Sequence, residues 1–223
     1  MKITIYTFCL SLLMSGAMLA AGSSVAVTIK VAGDSDLLRA ESSAYQIIKR
    51  GDRLDLGDQI RTGNNGTVAL VFQDDMSQLK IRPDTEVIIG GRRSGRDVEK
   101  MLELPLGRLW VEVTRSDTEF RIATPTSVAS VKGTSFWVVV DEAGATTVVT
   151  SEGTVNLLNT QSGETADVEP GITGVSRHSG EVVIHQTTTQ ELEEFSQGAL
   201  HEMEIPFRND DNEQKTLKIR YYE

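Results

Sequence analysis

Cysteine is all but missing from this 223-residue chain, and the single one, Cys9, lies inside an apolar N-terminal stretch. The rest of the chain therefore has no thiol for a disulfide, a metal or a nucleophile, so a packed core must hold the fold, as this length permits. Histidine is scarce, and His178, His185 and His201 match no compact metal-ligand spacing. Basic residues are outnumbered, with 22 Lys and Arg against 32 Asp and Glu. The resulting net charge of −10 disfavours phosphate backbones and anionic lipid as partners. No G-x-S-x-G elbow is present, and neither Gly171-Ile172-Thr173-Gly174 nor Lys132-Gly133-Thr134 has the glycine spacing of a phosphate loop. Asp34/Asp36 and the run from Asn209 to Glu213 lack the central Gly and closing Glu of an EF-hand, so both read as solvated turns. These absences argue against an enzyme and against a cofactor or metal.

Long apolar runs are confined to Ile3 to Ala21, which follows Met1-Lys2 and ends in small residues, with Ala20-Ala21-Gly22 as a cleavage site. That pattern predicts a secretory signal peptide over residues 1–22, and hence a periplasmic or secreted protein not stably inserted in the membrane once cleaved. An uncleaved anchor is the competing reading, because the run is nearly long enough to span a bilayer.

From Ser24 onward the chain is dominated by short extended runs punctuated by Gly, Pro and acidic turns. The organising stretch is Phe120 to Leu158. Phe120, Ile122 and Thr124 alternate with Arg121 and Ala123, Pro125 breaks the run, and Val128 to Val131 leads into Lys132-Gly133. Phe136 to Val140 is apolar at every position, as in a strand covered on both faces. Earlier, Val25 to Val31, Thr67 to Phe72, Gln78 to Arg82, Glu86 to Ile89, Val98 to Leu104 and Arg108 to Val113 read as strands. Pro105-Leu106-Gly107 is expected to turn the chain between the last two, and Arg92-Arg93-Ser94-Gly95-Arg96 to form a basic loop. Strands so spaced, with no long helical pattern between them, predict an all-β sandwich, barrel or solenoid. Thr188-x-x-Glu191 is a capping box, and Leu192, Phe195, Ala199, Leu200 and Met203 predict an amphipathic helix to about Glu204, docked on its own domain. Thr216 to Tyr222 is expected as a terminal strand.

Two local features carry functional readings. Arg92, Arg93 and Arg96 stand against the acidic background, either as a solubilising loop or as a contact for an anionic partner. Trp110 shares a run with Leu109 and Val111. It is a core residue if those two face outward, and a stacking platform for a glycan if they face inward.

Several stretches together resemble the FecR-type domain of bacterial extracytoplasmic proteins. They are Gly57-Asp58-Gln59-Ile60-Arg61-Thr62-Gly63, Val68 to Phe72, Leu106-Gly107-Arg108-Leu109, Phe120 to Thr124 with Pro125, Val131-Lys132-Gly133-Thr134-Ser135-Phe136 and Glu152-Gly153-Thr154-Val155. The resemblance implies a structural role for Gly57, Asp58, Thr62, Gly63, Gly107, Thr124, Pro125, Gly133, Thr134, Phe136 and Gly153. Asp75-Met76 departs from the Gly that family members carry before Ser, which suggests a wider connection there. The implied fold is a twisted β-solenoid or stacked-sheet domain over residues 23–186, followed by a helix-plus-strand appendage over 187–223. The implied function is binding or scaffolding of another envelope protein, without catalysis. A periplasmic component of a split sensor system, or a module binding cell-wall glycan, are the alternatives. The sensors best known in the family need a cytoplasmic domain ahead of the membrane span, and here only Met1-Lys2 precedes the apolar stretch.

Overall fold

The computed structural model describes residues 24–95, 97–114, 118–196, 200–208 and 214–222. The expected signal peptide lies outside them. The strands are β1 (Ala26–Ala32), β2 (Ser35–Leu38), β3 (Tyr45–Ile47), β4 (Arg53–Leu54), β5 (Gln59–Thr62), β6 (Thr67–Phe72), β7 (Gln78–Ile81), β8 (Glu86–Ile88), β9 (Gly91–Ser94) and β10 (Asp97–Glu112). They continue as β11 (Phe120–Ala123), β12 (Ser127–Val131), β13 (Ser135–Val140), β14 (Thr146–Glu152), β15 (Val155–Asn159), β16 (Thr165–Val168), β17 (Ile172–Ser176) and β18 (Val182–Gln186). Helix α1 (Thr189–Ser196) and the hairpin of β19 (Leu200–Arg208) and β20 (Gln214–Tyr222) close the chain.

The first eighteen strands form one sheet, folded over on itself along β10. The first layer runs β4-β1-β6-β7-β10-β13-β14-β17-β18. The second runs β3-β2-β5-β8-β10-β11-β12-β15-β16. All neighbours are antiparallel except β10 and β11. Past β10 the hairpins alternate between layers: β11-β12 lies in the second, β13-β14 in the first, β15-β16 in the second and β17-β18 in the first. Each layer turns alternate residues inward, and the two inner faces share one apolar cluster. Leu70, Ile81, Val111 and Val138 from the first layer meet Leu37, Ile60, Leu102, Ile122 and Leu157 from the second. Across this core the Phe72 and Phe120 rings meet edge to face, with centroids 5.8 Å apart.

Strand β10 does not turn at Pro105-Leu106-Gly107, contrary to the expectation from sequence. It continues through 16 residues and changes layer at that point, Met101 to Leu106 pairing in the second layer and Gly107 to Glu112 in the first. Gly107 takes φ +106°, and a Cβ there would lie 2.4–2.6 Å from Thr85 atoms. A glycine thus bends the strand where another residue would have to break it.

Three further sequence expectations are corrected. Residues 91–94 form strand β9 paired with Asp97 to Lys100, so the basic stretch begins as a hairpin arm and not as a loop. Helix α1 ends at Ser196, and Leu200–Arg208 is strand. The helical stripe read through Leu200 and Met203 competes with a period-two pattern, Met203, Ile205 and Phe207, which pairs in register with the equally alternating β20. Pro206 fits because a strand of a two-stranded hairpin has a free edge for the residue that lacks an N–H. The expected wider connection at Asp75-Met76 is compact instead. Phe72 N–H donates to Ser77 O at 2.8 Å, and Met76 adopts φ +63°, the left-handed geometry a glycine would take without strain.

Several motif residues make buried contacts in the turns, and one hydroxyl pair joins the two layers. Asp58 is buried, and its carboxylate accepts from Arg39 at 2.7 Å and from the Ala40 and Asp55 amides. Thr62 donates to Arg82 O and accepts from Thr85 N–H at 3.0 Å, while Gly63 N–H donates to Asp34 O. Ser127 N–H donates to the Thr124 hydroxyl next to Pro125, and that hydroxyl shares a 2.6 Å bond with Thr146 of the other layer. Gly133 lies at φ +135° beside Thr134, whose hydroxyl donates to Thr154 O. A Cβ on Gly153 would come within 2.6 Å of Gly133 O, and Phe136 is fully buried.

Candidate interaction surface

The two outer faces of the folded sheet differ sharply. On the second layer, strand register sets one residue from each successive strand into a row: Tyr45, Leu38, Gln59, Ile88, Glu103, Ala123, Val128, Leu158 and Thr165. At ~4.8 Å per strand this row spans roughly 38 Å. Its aliphatic members are half-buried by their neighbours and open to solvent. A second row sets Ile47, Asp36, Arg61, Glu86 and Leu106 alongside, with Ile47 73% exposed at the sheet edge. A third sets Met101, Arg121, Ser130, Asn156 and Asp167 on the other flank. A largely aliphatic stripe, interrupted by Gln59 and Glu103, is thus bordered by charge, and Asp36, Glu86, Glu99 and Asp167 outnumber Arg61, Arg92 and Arg121.

The hairpin of β9 and the start of β10 walls one end of this face, leaving a groove of about 670 Å³ lined by Arg92, Glu99, Met101, Glu103, Glu119 and Arg121 among others. Arg92 forks onto Glu99 at 2.8–3.2 Å, and Arg121 pairs with Glu119. Arg93 reaches Ser24 O at 3.5 Å, and Arg96 lies outside the described residues. Arg92 therefore meets the groove as half of an ion pair and not as a bare cation. The arm is anchored from below by Lys100, which is buried and reaches Asp74 at 2.7 Å and Asp75 at 2.8 Å. Asp74 also accepts the Val98 amide at 3.0 Å.

The first layer's outer face is covered where the second's is open. Leu109 and Val111 face the core, so Trp110 points outward, the geometry that the sequence ties to a stacking platform. It nevertheless stands only 8% exposed, against Trp137 of β13 at 5.2 Å, which is 7% exposed. Buried rings at this depth present no open stacking face to a sugar. Beside them Lys30, Lys80, Arg82 and Arg108 gather on the same face with Glu112. Burial first, and then the neighbouring Arg82 and Lys30 charges, bring the Lys80 ammonium down to about 8 against a partial offset from Glu112. Arg82 is likewise lowered, by burial and by Arg108.

The Lys80 shift has a pH consequence. Between about pH 8 and pH 10 the unfolded chain keeps this proton and the native chain does not, so stability rises with pH across that window. A Lys80→Met variant is expected to melt higher than wild type at pH 7 and to lose its lead as pH approaches 10. Parallel melting curves at pH 7 and 10 measure the crossover, and a constant difference would rule it out.

Among the described residues no group of three or more His, Cys, Asp or Glu is placed to hold a metal ion, and no helix is long and apolar enough to cross a membrane. His185 binds Glu191 at 3.0 Å, and His178 lines a cleft with Pro105, Leu106 and Pro125.

Residues 58–156, from the buried Asp58 to the start of β15, match the FecR protein family. That span of the chain is FecR-like. Two crystal structures, each of a protein assigned as an anti-sigma factor from Parabacteroides distasonis, share the fold. The one at 2.50 Å resolution superposes with a TM-score of 0.52 at 17% identity, over 63% of this chain and 64% of that one. The one at 1.65 Å does so with a TM-score of 0.52 at 18% identity, over 66% and 68%. No curated protein matches the sequence. The FecR match takes in the layer-crossing strand β10 and most strands of the open face, β5, β8, β11, β12 and the start of β15.

Proposed function

We propose that this FecR-domain protein is exported by residues 1–22 and works in the cell envelope by binding another protein, without catalysis. The open outer face of the second layer carries this reading: a row across nine strands in which Leu38, Ile88, Ala123, Val128 and Leu158 stand half open to solvent, bordered by an excess of carboxylates. An apolar centre within a polar rim is the anatomy of a protein–protein contact. The acidic border suits a partner surface with Lys and Arg around its own apolar strip. The membrane-embedded component of a split sensor is one such partner. Arg92 and Arg93 on the arm would meet carboxylates at the edge of the same contact.

The test uses the mature chain immobilised and exposed to envelope extract at low salt. Wild type is expected to retain a protein that is released as ionic strength rises. Ile88→Lys with Val128→Lys is expected to abolish retention without moving the melting temperature. Serine at Arg92, Arg93 and Arg96 together is expected to leave folding intact and weaken retention. Undiminished capture by the stripe variant would move the contact elsewhere, and retention on peptidoglycan in place of protein would replace this reading with glycan binding.

A further inference from the structure

The centre of the first layer's outer face is buried as deeply as a core, while its margin at His185 is exposed. Trp110, Trp137, Val149, Thr173 and His185 stand in one cross-strand row on it. Trp137 and Val149 are nearly closed to solvent, and Thr173 is fully closed. Two layers cannot bury their own outward side, so a third layer must lie there.

The chain itself turns onto this row. Directly after β18, the Thr187 hydroxyl bonds the Thr173 hydroxyl at 3.1 Å, and Thr187 N–H donates to Gly171 O at 2.9 Å. Two residues on, α1 begins, capped by Thr188 and Glu191: the Thr188 amide donates to the Glu191 carboxylate at 2.7 Å and the Glu191 amide to the Thr188 hydroxyl at 3.2 Å. Glu191 also reaches back to His185 of the row at 3.0 Å. Both contacts pin the start of the helix to the outward side of β17 and β18.

Eight helical residues extend about 12 Å at ~1.5 Å each, which crosses two to three strand spacings of ~4.8 Å. That reach leads from β18 over β17 and β14 to Trp137 on β13. The helix sequence Thr-Gln-Glu-Leu-Glu-Glu-Phe-Ser has three acidic residues and no basic one, while Lys30, Lys80, Arg82 and Arg108 gather just beyond the tryptophans. From the anchors, the reach and the opposed charge, we propose that α1 is the resident occupant of the first layer's outer face, docked across β17 and β14 against the tryptophan pair. One outer face is thereby closed by the chain's own helix, and the other is left for partners.

The chain contains no tryptophan besides these two, so its intrinsic fluorescence reports on this face alone. Two samples of the mature full-length protein test the docking. The first carries Glu191→Lys, which breaks both the cap and the His185 link. The second has a protease site inserted after Gln186 and is cut, then passed over a sizing column at high salt. Both are expected to shift the emission to the red and to raise the acrylamide quenching constant about twofold or more, as the rings move from core-like to surface-like exposure. Far-UV circular dichroism should keep its β-sheet signal, which separates undocking from unfolding. Wild-type emission and quenching in both samples would overturn the proposal, because the tryptophans would then be shielded by something other than α1.

Discussion

Replacing Gly107 by valine is expected to cost about 3–5 kcal/mol. A β-branched residue in left-handed geometry costs at least ~1–2 kcal/mol. Forcing a side chain into filled space adds roughly 1–3 kcal/mol. Both apply, since φ is +106° and the new Cβ would sit 2.4–2.6 Å from Thr85. Thr85 cannot simply retreat. Its hydroxyl accepts the Arg108 amide at 2.9 Å, and its own amide donates to Thr62 at 3.0 Å. Displacing it therefore pulls on β5 and on β10 just past the bend. A native domain has only about 5–15 kcal/mol in hand, so the variant should approach or cross the limit of folding. Urea titration of Gly107→Val beside Gly107→Ala reads the effect, with alanine expected to fall between valine and wild type. A valine variant within ~1 kcal/mol of wild type, the range of ordinary substitutions, would mean that β10 does not bend at this residue.

The same residue shows where sequence reading stops. Glycine, proline and strand alternation make most of the strands legible, because each signal is local and spans only a few residues. At Pro105-Leu106-Gly107 the local signal is that of a turn, yet a single flexible φ angle serves equally to carry a strand from one layer to the other. Only the pairing of Met101 to Leu106 with one layer and of Gly107 to Glu112 with the other distinguishes the two. Beyond Ser196 the difficulty is a conflict of periods: Leu200 and Met203 extend a helical stripe, and Met203, Ile205 and Phe207 also mark a strand. The longer register with β20 decides it. At Gly91 to Ser94 the apolar alternation is missing altogether, because every residue of β9 is exposed.

The open face is illegible in sequence for a further reason. Leu38, Ile88, Val128 and Leu158 are far apart in the chain, and each looks like an ordinary half-buried strand residue within its own segment. They form a stripe only once nine strands are placed in register, so no window of sequence contains it. The basic residues are visible at once, but the Glu99 that pairs with Arg92 becomes a neighbour only through the β9–β10 hairpin. For Trp110 the alternation with Leu109 and Val111 gives the side of the sheet, while its burial depends on what lies above it.

Lys100 is the other position where one substitution should act strongly. Its ammonium lies buried between Asp74 and Asp75 and 5.2 Å from the Phe72 ring centroid, so its charge is held by protein and hardly by water. Lys100→Met keeps the length and apolar stem but leaves two neighbouring carboxylates facing each other with no cation between them. Removing one side of a buried ion pair costs about 3–5 kcal/mol, most of it from the charge left behind. Here two are left behind, in the turn that also accepts the Val98 amide, so the β9–β10 arm should loosen from the β6–β7 connection. A triple variant, Lys100→Met with Asp74→Asn and Asp75→Asn, separates charge from shape. It should recover most of the loss, because a neutral amide can still accept from Val98 and no longer needs a counter-ion. Hydrogen exchange is expected to show residues 91–100 opening in the single variant and closing again in the triple. Equal stability of single variant and wild type would mean that the carboxylates are solvated and that the arm is held by Val98 and the strand pairing alone. Loss of the arm would also remove one wall of the groove, so the single variant should weaken partner capture even under conditions where the two layers remain folded.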